Sequence, residues 1–421
     1  MNSTRSKKQE EKYSKRSSLF FVKDDGWYFN LLENLHAGKF DICQNSLYHP
    51  SMIQRYLTAQ VKKDLAKKMV FLGGPRQVGK TTLALDILKD DKGYLNWDVD
   101  AHREKILKRE LPPAEMLVFD EIHKYRAWRN YLKGIFDLYR KNKKILVTGS
   151  ARLDLYRFGG DSLQGRYHFL RLHPLSAAEL KMTHMNSLMD LLELGGFPEP
   201  FLEHSQVEAK RWSREYRTRL LREDVASLEK ASDLGRMELL MLRLPDLVGS
   251  PLSMNALRED LEVSFKTVAR WMDILERMYA VFRLCPFGSP KIRAVKKERK
   301  HYHFDWSLVP DRTKRFENMI ASHLLKWVHF EQDTRGRDLD LSYFRDIDGR
   351  EVDFLVAENR QPVMLVECKW ADDDVSKSLK YLKAKYPNSQ AWQIHAAGKK
   401  DYETPEGIRV ASAITLLKDL V

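Results

Sequence analysis

Three short apolar runs, Met69–Gly74, Met116–Asp120 and Ile145–Ser150, mark the first third of the chain, each about strand length. Stretches that suit helices separate them: TTLALDIL directly after the first run, and Trp128 to Lys141 after the second. Strands that alternate with helices predict a parallel sheet covered on both faces. Asp24 to Lys68 reads as mainly helical and leads into the first strand. From Ala177 to about Leu244 the pattern is helical, broken by GGFPEP at Gly195 to Pro200. Between Pro251 and Phe304 it becomes two short helices and two short strands. Beyond Arg315 the order is helix, strand, strand, helix, strand. No repeat of solenoid period is present.

Composition fits a soluble, multi-domain chain of 421 residues, 43% hydrophobic and 31% charged. No apolar run reaches the roughly 18 residues of a membrane span. The N-terminal MNSTRSKKQEEKYSKRSS is charged, lacks the apolar stretch of a secretory signal and reads as a disordered tail. Cys43, Cys285 and Cys368 are scattered without metal-ligand spacing, which suits reduced, cytoplasmic thiols. Lys and Arg outnumber Asp and Glu by 72 to 59, a net charge of +13, a balance that favours a polyanionic partner.

The first candidate chemistry follows the first strand. Gly74-Pro75-Arg76-Gln77-Val78-Gly79-Lys80-Thr81, continued by Thr82, fits the phosphate-binding pattern G-x-x-x-x-G-K-[ST]. Its glycines let backbone N–H groups approach phosphates, and the helix N-terminus adds positive potential. Lys80 is placed to reach the β- and γ-phosphates of ATP, and the Thr81 hydroxyl to ligate Mg²⁺. MLVFDE supplies a strand-end pair about 40 residues on: Asp120 for the Mg²⁺ shell, Glu121 to orient or deprotonate the attacking water. Thr148 and Ser150, past the third strand, can sense the γ-phosphate or simply serve the turn. Arg166 in SLQGRY is a candidate arginine finger, in cis or from a neighbouring subunit, with a surface ion pair as the alternative.

GGPRQVGKTTLA, FDEIHK, Trp128, VTGSARLDL, SLQGRY and HPLSAAEL occur in that order. With LGGFPEP, EVDFLV and VECKW, they resemble a prokaryotic family of AAA-type ATPases that carries a C-terminal domain of unknown function. The resemblance spans about Tyr48 to Pro387. It implies an ASCE-type P-loop core, a winged helix and a restriction-endonuclease-like C-terminus.

Ser253 is placed to cap a helix bearing Ala256, Leu257 and Leu261, and Glu262 to Ser264 make a turn. A second helix carries Val268, Trp271, Met272, Leu275 and Met278 on one apolar face. Its other face shows Lys266, Thr267 and Arg270. Lys291 to Lys300, with six basic residues in ten, then links two strands as a basic wing that includes Lys296, Lys297 and Lys300. Such a winged helix can contact DNA or RNA phosphates, or only pack domains together.

REVDFLV and VMLVECKW are strand-like. Residues two apart on a strand share a face, so Glu367 and Lys369 project together, and Asp353 can join them across a hairpin. Two carboxylates can hold Mg²⁺ or Mn²⁺ and activate water, with Lys369 assisting; this is the D…E-x-K pattern of restriction-endonuclease-like nucleases. Glu317, in the preceding helix, is a further metal ligand that the resemblance implies. A metal-free binding platform and a structural role stand as alternatives. His123, His301 and His303 read as packing residues.

The expected architecture is α/β, in five segments: a disordered basic tail (1–20), a P-loop ATPase domain (21–180), a helical connector (181–245), a winged helix (246–310) and a restriction-endonuclease-like domain (311–421). The functional expectation is a cytoplasmic homo-oligomer, without membrane contact, that hydrolyses ATP with Mg²⁺ and acts on nucleic acid, most simply DNA. Its alternative is a nucleotide-switched DNA-binding regulator that cuts nothing.

Overall fold

A computed structural model describes residues 53–149, 163–225, 233–288 and 299–421. The expected basic tail, Cys43, Ser150, Lys296 and Lys297 lie outside them. Helix α1 (Thr58–Leu65) leads into β1 (Met69–Gly73), whose five residues are all buried. That pattern is what a parallel strand covered on both faces requires. The order continues with α2 (Lys80–Leu88), β2 (Tyr94–Asn96), α3 (Asp100–Lys108), β3 (Met116–Asp120), α4 (Trp128–Tyr139), β4 (Lys144–Thr148) and β5 (Tyr167–Arg171). These strands form one parallel sheet in the order β2-β3-β4-β1-β5. Strand β4 therefore lies between β1, which feeds the phosphate loop, and β3, which ends on Asp120. Such an all-parallel five-stranded sheet is what a P-loop core needs.

The connector holds α5 (Met185–Leu194), α6 (Pro198–Leu202), α7 (Gln206–Arg219), a π-helical turn at Leu220–Val225 and α8 (Leu234–Arg243). Next come α9 (Met254–Asp260) and α10 (Phe265–Arg277). Ser253 caps α9 by accepting from the Ala256 N–H, and Ser264 caps α10 by accepting from the Thr267 N–H. Val268, Trp271, Met272, Leu275 and Met278 are all fully buried. Strands β6 (Val281–Leu284) and β7 (Lys300–His303) then pair as an antiparallel ribbon.

The last quarter is built on α11 (Arg312–Arg335), β8 (Leu339–Arg345), β9 (Glu351–Glu358), β10 (Gln361–Lys369), α12 (Lys377–Lys385), β11 (Gln390–His395), β12 (Tyr402–Glu403), β13 (Ile408–Ser412) and α13 (Ala413–Leu417). Its mixed sheet runs β12-β13-β11-β10-β9-β8. Three strands, β8, β12 and β13, exceed the sequence expectation for this segment. Strand β8 (LDLSYFR) is half polar, so its sequence reads as loop, and pairing with β9 recruits it.

Helix α11 spans about 36 Å at 1.5 Å per residue and touches both β5 and β8. Asp311 caps its start by accepting from the Lys314 N–H, and Gly336 ends it with φ 67°. Along its length it is tied to the first sheet. The Arg171 guanidinium donates to both Asp333 oxygens at 2.7 and 2.9 Å. The His173 and His329 ring nitrogens meet at 2.8 Å. Lys326 donates to Pro174 O, Ser176 Oγ and Glu179. Ile53–Val421 accordingly forms one compact unit, with a hydrophobic core running from Leu57 to Leu420.

Candidate functional site

The phosphate loop turns sharply where β1 meets α2. A side chain at Gly74 (φ 132°) would collide with the Leu172 carbonyl, so the loop needs glycine there. Gly79 (φ 93°) precedes α2, and no side chain caps that helix, which leaves its N–H groups directed at the loop. Lys80 is buried and folds back to donate to the carbonyls of Gly74, at 3.0 Å, and Pro75. The Thr81 hydroxyl donates to Asp120 Oδ2 at 2.8 Å, across the parallel sheet from β3. Tyr94, on β2, donates to the same oxygen at 2.8 Å, and Thr148, on β4, donates to Oδ1 at 2.7 Å. Asp120 is therefore held by hydroxyls from both neighbouring strands. A Thr hydroxyl 2.8 Å from a carboxylate suits Mg²⁺, which takes few protein ligands and completes its shell with water and phosphate oxygens. Thr81 and Asp120 would hold it, and the ion would neutralise phosphate charge.

Glu121 sits just beyond β3 in a left-handed conformation (φ 54°), its N–H bonded to Thr148 O at 3.0 Å. Burial raises its carboxyl above the usual range; Lys124 opposes the rise and the Asp120 charge reinforces it. A carboxylate made more basic by its surroundings is suited to accept a proton from water. His123 Nε2 and Lys124 Nζ stand 3.6 and 3.5 Å from its Oε2.

The cleft is roofed by the connector. Its lining includes Arg76, Lys80, Thr81, Asp120 and Glu121 below, and Glu199, Tyr216, Arg219 and Glu223 above. Arg76, within the loop, forms an ion pair with Glu223 in the π turn. Sequence reasoning passed over Tyr94, Arg219 and Glu223. Tyr94 and Glu223 carry no motif of their own, and only the sheet order and the fold-back of the connector bring them in.

In the C-terminal sheet, Glu367 and Lys369 share a face of β10, with Lys369 Nζ 2.9 Å from Glu367 Oε1. Asp353 on β9 accepts from the Cys368 N–H at 2.8 Å. Glu317 on α11 accepts from the Tyr302 hydroxyl at 2.7 Å. Burial, then the Asp353 charge, pushes Glu317 up to about 8 and Glu367 up to about 7. Burial raises Asp353 as well. Lys300 is at the centre of this group rather than in an exposed wing. Its side chain is 1% exposed, and its Nζ lies 2.6 Å from Glu351, 3.7 Å from Glu317 and 4.0 Å from Asp353. One expectation is thereby corrected. A buried ammonium matched to carboxylates is not a phosphate contact, and every residue of β7 is buried. Among the described residues no group of three or more His, Cys, Asp or Glu side chains is placed to hold a metal ion. Lys300 already supplies positive charge there.

Comparison with known proteins adds to this picture. Residues 66–181 match the AAA domain family, 185–318 a domain of unknown function (DUF8612) and 312–416 another (DUF4143). Residues 66–181 are thus similar to AAA domains, in line with the phosphate loop and parallel sheet they contain. Two uncharacterized mycobacterial proteins, from Mycobacterium tuberculosis and Mycobacterium bovis, are each 26% identical over 265 residues, 61% of this chain. The match spans 58% of those relatives' length. A Signal Transduction ATPase with Numerous Domains from Pyrococcus horikoshii is similar over 68% of this chain and 48% of its own, at 13% identity and a TM-score of 0.22.

Within the matched segment, Arg166 pairs with Asp137 on α4 at 2.9 Å and is not among the residues lining the cleft. On α10, Lys266 and Arg270 are exposed, on the face opposite the buried Val268 and Trp271. His301 and His303 are buried, held by burial down at about 4 and about 3, and so stay neutral. Among the described residues no helix is long and apolar enough to cross a membrane.

Proposed function

We propose that the chain is a Mg²⁺-dependent ATPase that binds nucleic acid, most simply DNA, and uses nucleotide state to move the helical modules that roof its cleft. The observation that carries the reading is the meeting of Lys80, Thr81, Asp120 and Glu121 in one cleft roofed by Arg219 and Glu223. Nucleotide entering that cleft competes with Glu223 for Arg76, which gives phosphate binding a mechanical consequence in the connector. Paired helices α9 and α10 with the β6–β7 ribbon support a winged helix. The exposed Lys266 and Arg270, with the net charge of +13, support a polyanionic partner. Of the three roles weighed for the C-terminal domain, the two without cleavage are favoured by Lys300 among the carboxylates.

ATPase rate with and without single-stranded, duplex and branched DNA tests this. The expected outcome is stimulation by at least one of them, with binding that weakens steeply as salt rises. Charge reversal at Lys266 and Arg270 together should flatten the salt slope; an unchanged slope removes α10 from the interface. The same assay covers self-association, in which Arg166 serves a neighbouring copy. The rate per chain should then rise with protein concentration, and Arg166→Ala should remove the rise.

A further inference from the structure

The carboxylates of the C-terminal sheet come from separate elements: Glu317 from α11, Glu351 and Asp353 from β9. Their shared cation comes from a different module. Lys300 opens β7, paired with Leu284 across the ribbon and bridged to Pro251. Its Nζ sees Glu351 at 2.6 Å, Glu317 at 3.7 Å and Asp353 at 4.0 Å. The Tyr343 ring lies 5.4 Å away, within cation–π reach.

These distances distinguish two kinds of cation. A divalent ion draws its oxygens to about 2.0–2.6 Å and asks for six or more of them. An ammonium has three donors and tolerates looser, uneven contacts. The set around Lys300, one close carboxylate, two distant ones and an aromatic face, is the second kind. We infer that Lys300 is the permanent internal cation of this cluster, standing where a divalent ion would act, so that Glu317, Glu351 and Asp353 serve as an ionic joint between the β6–β7 ribbon and the C-terminal domain. The inference deepens the cleavage-free reading and does not depend on nucleic-acid binding.

Titration calorimetry of Mn²⁺ into the nucleotide-free full chain tests it. Wild-type heats should match those of the Asp353→Asn/Glu367→Gln double variant. Lys300→Met should bind Mn²⁺ at least about tenfold more tightly than wild type, since carboxylates left without their cation seek another. Wild-type binding that the double variant loses overturns the inference, and so does a folded Lys300→Met chain with unchanged affinity. Should Lys300→Met fail to fold, Lys300→Arg decides. It keeps the charge, so it should fold and still exclude Mn²⁺; an Arg variant that unfolds or takes up the ion overturns the assignment.

Discussion

Two residues of the nucleotide site can be separated by what each removes. On the proposed reading Lys80 carries the charge that meets the phosphates, so Lys80→Ala should lose nucleotide binding itself, seen with a fluorescent ATP analogue. On the same reading Glu121 acts on water, so Glu121→Gln should bind as before and turn over slower by about 10²–10⁴-fold, the usual span for a lost general base. A Gln variant that releases phosphate at the parent rate removes Glu121 from the reaction. These residues were legible in the sequence because a phosphate loop is contiguous: eight residues fix the backbone, and the acidic pair closes an apolar run. Tyr94 was not legible. Its hydroxyl matters only because β2 lies beside β3 and puts it 2.8 Å from Asp120. Lys300 was misread for a related reason. The number of basic residues in a run says nothing about where a strand lies, and β7 is buried along all four of its residues.

At the scale of elements, the periodicity of α10 and the Ser253 cap of α9 were plain from spacing, whereas the strands of the last quarter were not. Strand β8 is recruited by its neighbours, and no local pattern announces it. Helix α11 was visible as a helix, but its partners were not, because Arg171, His173 and Glu179 are far from it in the chain. Its tightest anchorage is the triad Arg55–Glu179–Lys326. Arg55 bonds Glu179 at 2.8 Å and also the carbonyl of Val78 within the phosphate loop at 2.6 Å. Two cations hold the Glu179 carboxyl low against its burial, while burial depresses Lys326 to about 8. Removing one member of a buried charge set leaves the rest uncompensated, at a typical cost of about 3–5 kcal/mol. Lys326→Met should therefore lower the unfolding free energy from urea titration by that order. Because Arg55 touches Val78, nucleotide affinity should weaken as well. A variant with parent stability would show that Arg55 alone satisfies Glu179.

Across the whole molecule, four buried histidines, His173, His301, His303 and His323, are held neutral by burial. Each has a folded pKa below the roughly 6.5 of an unfolded chain. The unfolded state therefore binds more protons, and stability is fully present above about pH 6.5 and is lost as pH falls toward 4. For His301, at about 4, the full loss is roughly 3 kcal/mol. Denaturant midpoints from pH 7 to 4.5 should fall steeply, and His301→Gln should flatten the slope; equal slopes would place the acid sensitivity elsewhere. Helix α11 has one more consequence, for how such chains can be shuffled. A recombination junction between residues 312 and 328 would part Asp333 from Arg171 and His329 from His173. Chimeras that exchange the C-terminal half would then inherit mismatched charges against the AAA domain. A viable graft has to carry α11 together with the segment from Arg171 to Glu179, so these two stretches are the unit in which descent can rearrange this protein.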